Sequence, residues 1–167
     1  THPVEAALLA YGLGLRAVGE NRVQEAAQKR PLAPSDLRWE LIGHLQSNKA
    51  KHALQAFDVI QSVDSAELAT RLGRLAGEMG LRREVLIQVN SGDDPAKFGC
   101  DLADAPGLLR GVVAECQRGI AVRRLVQRDR KNHRQGVNQN GLDELGHIHP
   151  DCLRPVRAVA RTGLGAH

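Results

Sequence analysis

Hydrophobic positions in the first two thirds of the chain switch repeatedly between a helical and a strand period, and each switch predicts an element. Pro3 to Leu13 reads as a helix, with a first-turn proline, Glu5 beside it, and Gly12 and Gly14 to stop it. Leu15 to Gly19 is a short strand, Asn21 to Lys29 a short helix halted before Pro31, and Arg38 to Gly43 a second strand. Asn48 to Ala56 has a helical pattern and Phe57 to Val63 that of a third strand. Ser65 caps a helix that places Leu68, Leu72, Leu75 and Met79 on one face and ends at Gly80. Glu84 to Val89 is a fourth strand, and Asp101 to about Cys116 a helix interrupted by Pro106 and Gly107. Trp39 and Phe57, on adjacent strand units, are expected in the core.

Short apolar strands alternating with helices predict an α/β fold with parallel strands: a partial (β/α) barrel of the TIM type. A complete barrel of eight units needs about 250 residues, so the pattern fills about half of one. A pattern opening on a helix lacks the strand expected before it, and the barrel is expected to be cut at the front. After Gly111 the pattern fades. Residues 117–167 hold no convincing strand, Val122 to Val126 being at best a short one among arginines. The expected division is a partial barrel over 1–116 and a basic, poorly structured tail over 117–167.

Composition sharpens that division. All four aromatics (Tyr11, Trp39, Phe57, Phe98) precede the boundary. Residues 1–116 carry 13 Lys and Arg against 15 Asp and Glu, a net of −2, whereas residues 117–167 carry 10 against 4, a net of +6. A basic segment suits nucleic acid, but no recognisable module or stacking aromatic accompanies the charge. His147 and His149 beside Asp151 and Cys152 could be drawn as a metal site, yet no element there would fix ligand geometry, so no metal is expected. The scattered Cys100, Cys116 and Cys152 form no disulfide framework, which favours the cytoplasm. No run approaches the roughly 18 apolar residues of a membrane span.

Barrels carry function on the loops after their strands. Those loops begin at Asn21, at Gly43-His44, at Ser62-Val63-Asp64 and at Asn90-Ser91, all polar. Asn, Ser and Asp also cap helices at such places, so capping competes with ligand binding at Asn21, Asn48 and Ser65. Lys49 and Lys97 follow the second and fourth strands, where either could reach a ligand. An ordinary lysine, with a pKa near about 10.4, is a poor nucleophile unless burial or a nearby cation lowers that value.

Five ordered blocks carry a family resemblance: Val18-Gly-Glu-Asn-Arg-Val-Gln-Glu25, Trp39-Glu-Leu-Ile-Gly-His-Leu-Gln-Ser-Asn-Lys49, Ile60-Gln-Ser-Val-Asp-Ser65, Val85-Leu-Ile-Gln-Val-Asn90 and Lys97-Phe-Gly99. Residues 1 to about 111 thereby resemble the pyridoxal-phosphate homeostasis protein family. The resemblance implies a barrel like the N-terminal domain of alanine racemases, with pyridoxal 5'-phosphate at the C-terminal mouth of the strands. It implies a carrier or regulator of vitamin B6 in amino-acid and keto-acid balance, with no established turnover. Asn21 corresponds to a position the family uses around the cofactor. His44, Ser62 and Asn90 are assigned to the same site from their places at strand ends.

The departures are specific. The family's imine-forming lysine precedes its Thr-x-Pro segment, here Thr1-His2-Pro3, and does not appear in the sequence. The family's Ser-Met-Gly-Met-Ser-like turn and Arg-Ile-Gly segment, which cradle the phosphate and face the pyridine ring, do not appear in 117–167. Weak or absent cofactor binding is therefore expected, with Lys97 or Lys49 as opportunistic imine lysines. The tail resembles translation of a GC-rich gene in a shifted frame, which the coding DNA read in the other frames would decide. A racemase-like enzyme is the alternative function, disfavoured because the one tyrosine, Tyr11, lies in the first helix. Self-association is expected, because half a barrel leaves strand edges unpaired.

Overall fold

The computed structural model describes residues 2–90, 96–115 and 118–127. In chain order these form α1 (Val4–Gly12), β1 (Ala17–Glu20), α2 (Val23–Lys29), β2 (Arg38–Leu41), α3 (Ala50–Ala56), β3 (Val59–Val63), α4 (Ala66–Glu78), β4 (Arg83–Asn90), β5 (Cys100–Asp101), α5 (Ala105–Ala114) and β6 (Ile120–Gln127). Single 3-10 turns follow α2 (Arg30–Leu32) and lead into α3 (Ser47–Lys49). Every strand pairing is parallel, and β1 to β4 lie side by side in chain order. The last two residues of β4 pair with β5, and β6 runs along β4 from Arg83 to Val89.

Side chains alternate across a strand, so the sheet has two faces of different chemistry. One face carries Trp39, Leu41, Ile60, Val85, Ile87 and Val89 into a single core with Ala26, Leu54, Leu72, Leu109 and Val112 of the helices. The alternate positions of β2 and β4 carry Arg38, Glu40, Glu84 and Gln88. Helix α4 shows how the helical layer is built. Ser65 Oγ accepts the Leu68 N–H at 3.3 Å, and Leu68, Ala69, Leu72 and Ala76 bury one stripe. Leu75 and Met79 pack against the core only in part.

Trp39 is 2% exposed and Phe57 fully buried, as their patterns predict, although Phe57 terminates α3 instead of opening β3. Two expectations are corrected. Pro106 does not interrupt the last helix; it lies in the first turn of α5, where a missing N–H costs no intrahelical bond. The expectation of a poorly structured tail, with at best a short strand at Val122 to Val126, is also corrected for residues 118–127. Ile120 to Gln127 is an eight-residue strand, with Ile120 and Ala121 buried. Its flanking arginines mask it in the sequence, because strand formation there is decided by pairing with β4 and not by local composition. The remainder of the expected tail, with His133, His147, His149, Asp151 and Cys152, lies outside the described residues.

Candidate functional site

The C-terminal ends of the strands converge on a set of loops tied to one another by close contacts. After β1, Glu20 organises the chain: its Oε1 accepts the N–H groups of Asn21 (2.7 Å) and Arg22 (3.3 Å), and its Oε2 accepts Lys29 Nζ at 2.5 Å. Lys29 also reaches Glu25 at 3.1 Å. The hydrogen bond to Glu20 raises Lys29 above its ordinary value. After β2, Gly43 passes so near Asn21 that a Cβ on it would lie 2.2 Å from the Asn21 carbonyl oxygen. Only glycine allows that approach, which sets the loop beginning at His44 beside the end of β1.

His44 joins the loops after β3 and β4. Its Nδ1 lies 3.5 Å from Asp64 Oδ2, and its ring stacks on Phe98 with centroids 3.8 Å apart and planes 10° from parallel. Burial pushes the Asp64 carboxyl above the usual range, partly opposed by His44. Phe98 is fixed from the other side, its carbonyl accepting Gln88 Nε2 at 2.7 Å. Gly99 then turns the chain with φ +130°, and a Cβ there would lie 2.7 Å from the Asn90 nitrogen. That turn feeds β5, where Cys100 and Asp101 pair with Val89 and Asn90. Burial raises the half-buried Cys100 thiol, so the residue is a poor nucleophile.

Several residues selected from the sequence meet at this mouth. Asn21 touches the β2 loop through Gly43, His44 lies at the centre, and Asn90 ends β4 beside the Lys97-Phe98-Gly99 turn. Ser62 is fully buried in β3, and its Oγ has no hydrogen-bond partner among the described residues. Lys97 is half-buried next to Phe98, whereas Lys49 lies at the end of the 3-10 turn before α3. Capping does not account for Asn21 or Asn48, since the N-cap position of α2 is Arg22 and that of α3 is Lys49; Ser65 alone of the three is a cap. Gln88 escaped the sequence reading, although a lone amide within Val-Leu-Ile-Gln-Val is the signal that marks it.

Other features lie away from the mouth. Tyr11 donates to the Asp36 carboxylate at 2.8 Å, which raises its pKa and removes it from the strand ends. A groove of about 570 Å³ between the turn after α2 and α3, lined by Arg30, Pro31, Pro34, His52 and Gln55, contains none of the selected residues. Among the described residues no group of three or more His, Cys, Asp or Glu could hold a metal, and no helix is long and apolar enough to cross a membrane.

Comparison with known proteins agrees with this geometry. The family model described as alanine racemase, N-terminal domain, matches residues 2–144, running beyond the resemblance placed at 1 to about 111. The pyridoxal phosphate homeostasis protein of Haemophilus influenzae is 40% identical over 102 residues, covering 59% of this chain and 43% of that protein. The protein of the same name from Pseudomonas aeruginosa is 40% identical over 115 residues, covering 67% of this chain and 49% of its own length. The chain thus spans about half the length of the curated relatives it matches. Among solved structures, PipY of Synechococcus elongatus without PLP superposes with a TM-score of 0.73 at 40% identity, over 87% of this chain and 66% of that one. The same protein with PLP bound gives 0.68 at 38% identity, over 87% and 65%. An alanine racemase of Clostridium difficile shares the fold at 16% identity, with a TM-score of 0.60 over 74% of this chain and 31% of that one. Parallel β/α units in chain order, polar loops gathered at one end and a matching family model over most of the length lead to one assignment: the chain belongs to the alanine racemase N-terminal domain family, and within it stands with the pyridoxal phosphate homeostasis proteins.

Proposed function

We propose that the chain forms part of a pyridoxal 5'-phosphate-binding barrel that holds and buffers the cofactor in vitamin B6 and amino-acid balance, without turning substrate over. The observation that carries this reading is the convergence of His44, Phe98, Lys97, Asn90 and buried Ser62 at the C-terminal ends of parallel strands. Ligands of such folds bind at those ends. The donor set fits the aldehyde and ring of the cofactor: an amine at Lys97 or Lys49, hydrogen-bonding groups at Asn21, His44 and Asn90, and an unpaired buried hydroxyl at Ser62. Bound there, the cofactor would supply an electron-withdrawing ring and an aldehyde that condenses reversibly with amines. The chain's own residues would orient the ring and exclude water. Tyr11, the one tyrosine of this chain, is held by Asp36 and is not offered to the mouth as an acid or base. Relatives named as homeostasis proteins, not as enzymes, support the same reading. The expected setting is the reducing cytoplasm.

Weak binding is expected of the groups named at this mouth, because charge-assisted hydrogen bonds to a phosphate are worth about 1.5–3 kcal/mol each and Asn21, His44, Ser62 and Asn90 bring no permanent cation. Titration with pyridoxal phosphate, followed by absorbance, is expected to give a millimolar dissociation constant, about −4 kcal/mol. Borohydride reduction and peptide mapping should then find Lys97 or Lys49 modified. Labelling spread evenly over all surface lysines would refute the site. Micromolar binding would show instead that this chain holds the phosphate by further charged groups. Leu9 of α1 and Leu13 and Leu15 just after it are exposed, and this apolar surface supports self-association of the chain. A monodisperse monomer in sedimentation velocity would rule that out.

A further inference from the structure

Phe98 is 57% exposed, so its ring is not held by burial in the core. Its contacts show what it does there. The ring stacks on His44 of the β2 loop, His44 faces Asp64 of the β3 loop, and the Phe98 carbonyl accepts Gln88 Nε2 from β4. One residue therefore links the ends of three strands. Gly99 makes the linkage directional, since its positive φ and its approach to Asn90 oblige the chain to turn immediately after the ring. Lys97 precedes the ring in the same turn.

We propose that Phe98 is a positioning residue that fixes Lys97 over the strand ends, with the Gln88 amide and the His44 ring as its anchors and Asp64 as the partner that orients His44. The choice of Lys97 rests on the cofactor reading above; the anchoring itself does not. Gln88 supports the assignment by its placement. It is a buried amide in an apolar strand, and its Nε2 bonds a main-chain carbonyl of the turn instead of another strand. A buried amide without such a partner would carry a desolvation cost that an apolar residue avoids.

The test has two independent arms. In the first, amide hydrogen exchange of residues 98–101 is compared for the wild type, Phe98→Ala, Phe98→Tyr and Gln88→Leu, with no cofactor present. Phe98→Ala and Gln88→Leu are expected to speed exchange of this turn about 3- to 10-fold, in keeping with the worth of one aromatic pair or one net hydrogen bond. Exchange in α4 should not change, and Phe98→Tyr, which keeps the ring, should restore protection. In the second arm each protein is treated with pyridoxal phosphate and borohydride, and Lys97 labelling is measured relative to Lys49. Phe98→Ala should lower that ratio about 3- to 10-fold and Phe98→Tyr should restore it. Unchanged exchange in Phe98→Ala would overturn the anchoring. Altered exchange with a labelling ratio insensitive to Phe98 would overturn the positioning of Lys97. Altered exchange with no site-selective labelling in any protein would leave the anchor standing and sink the cofactor reading.

Discussion

The two faces of this sheet follow different rules. Toward the helices, Trp39, Leu41, Ile60, Val85 and Ile87 form a continuous apolar layer with the helical stripes, in which interlocking shape matters. On the alternate positions, Arg38 pairs with Glu84 and lies 3.4 Å from Glu40, and Gln61 Nε2 donates to Glu40 at 2.6 Å. Here the chain holds charges by mutual pairing, and the energetic risk lies in leaving one partner alone. The difference teaches that one strand can serve two environments: alternation gives Trp39 and Leu41 to the core and Glu40 to a polar network. Damage to one face should therefore differ in size and kind from damage to the other.

The largest effect is expected on the apolar side. Trp39→Ala should cost about 3–5 kcal/mol in urea unfolding, because the large side chain is replaced by a cavity that helices on a rigid sheet cannot collapse to fill. A loss below about 1 kcal/mol would show that the layer is looser than its burial indicates. At the strand ends, Gly43→Ala should cost about 1–3 kcal/mol, since the new methyl meets the Asn21 main chain and not a side chain that could swing away. It should also displace His44, read as a change in the histidine's proton resonance. On the polar face, Glu84→Gln leaves Arg38 with Glu40 alone. Because Arg38 keeps 33% of its side chain in solvent, the expected loss is about 1–2 kcal/mol, between the values for exposed and buried pairs. An unchanged midpoint would mean that water or Glu40 fully replaces the pairing.

The smallest effect is a pH dependence. Lys29 is raised by its bond to Glu20, so its contribution is fully present below the unfolded value near 10.5 and is lost as pH climbs through the higher folded value. Stability should fall in that alkaline window, and Lys29→Met should flatten the fall. A profile identical in the two proteins would remove Lys29 from the account.

The layered α/β architecture was legible where a helix carries its own stop and stripe and where a strand is short and bounded by turn residues. Ser65, Gly80 and the Leu68/Leu72 stripe announce α4 without help from the rest of the molecule. Strand β6 was legible only as a short stretch, Val122 to Val126. Arg118, Arg123 and Arg124 dilute its pattern, and only its pairing with β4 reveals its full length. The site divided in the same way. Polar residues just after strands could be named from position alone, whereas the Phe98 stack and the Gln88 bond depend on a turn returning across three strand ends. No local period encodes that return.

The identity of strand order and chain order from β1 to β4 bears on how the molecule forms. Each of these strands pairs with the strand made immediately before it, after a connection of about 20 residues, so every closure carries a similar and modest entropic cost. During synthesis at about 5–20 residues per second, each new strand emerges to find its partner already in place. Between β1 and β4 the sheet can then grow in one direction, like a row laid stone by stone. Strand β6 joins β4 only after the whole of α5 has been made. The order of assembly is thus written into the topology, and a pause in translation before residue 120 would leave β4 with an open edge at the stage when the chain is most exposed to wrong partners.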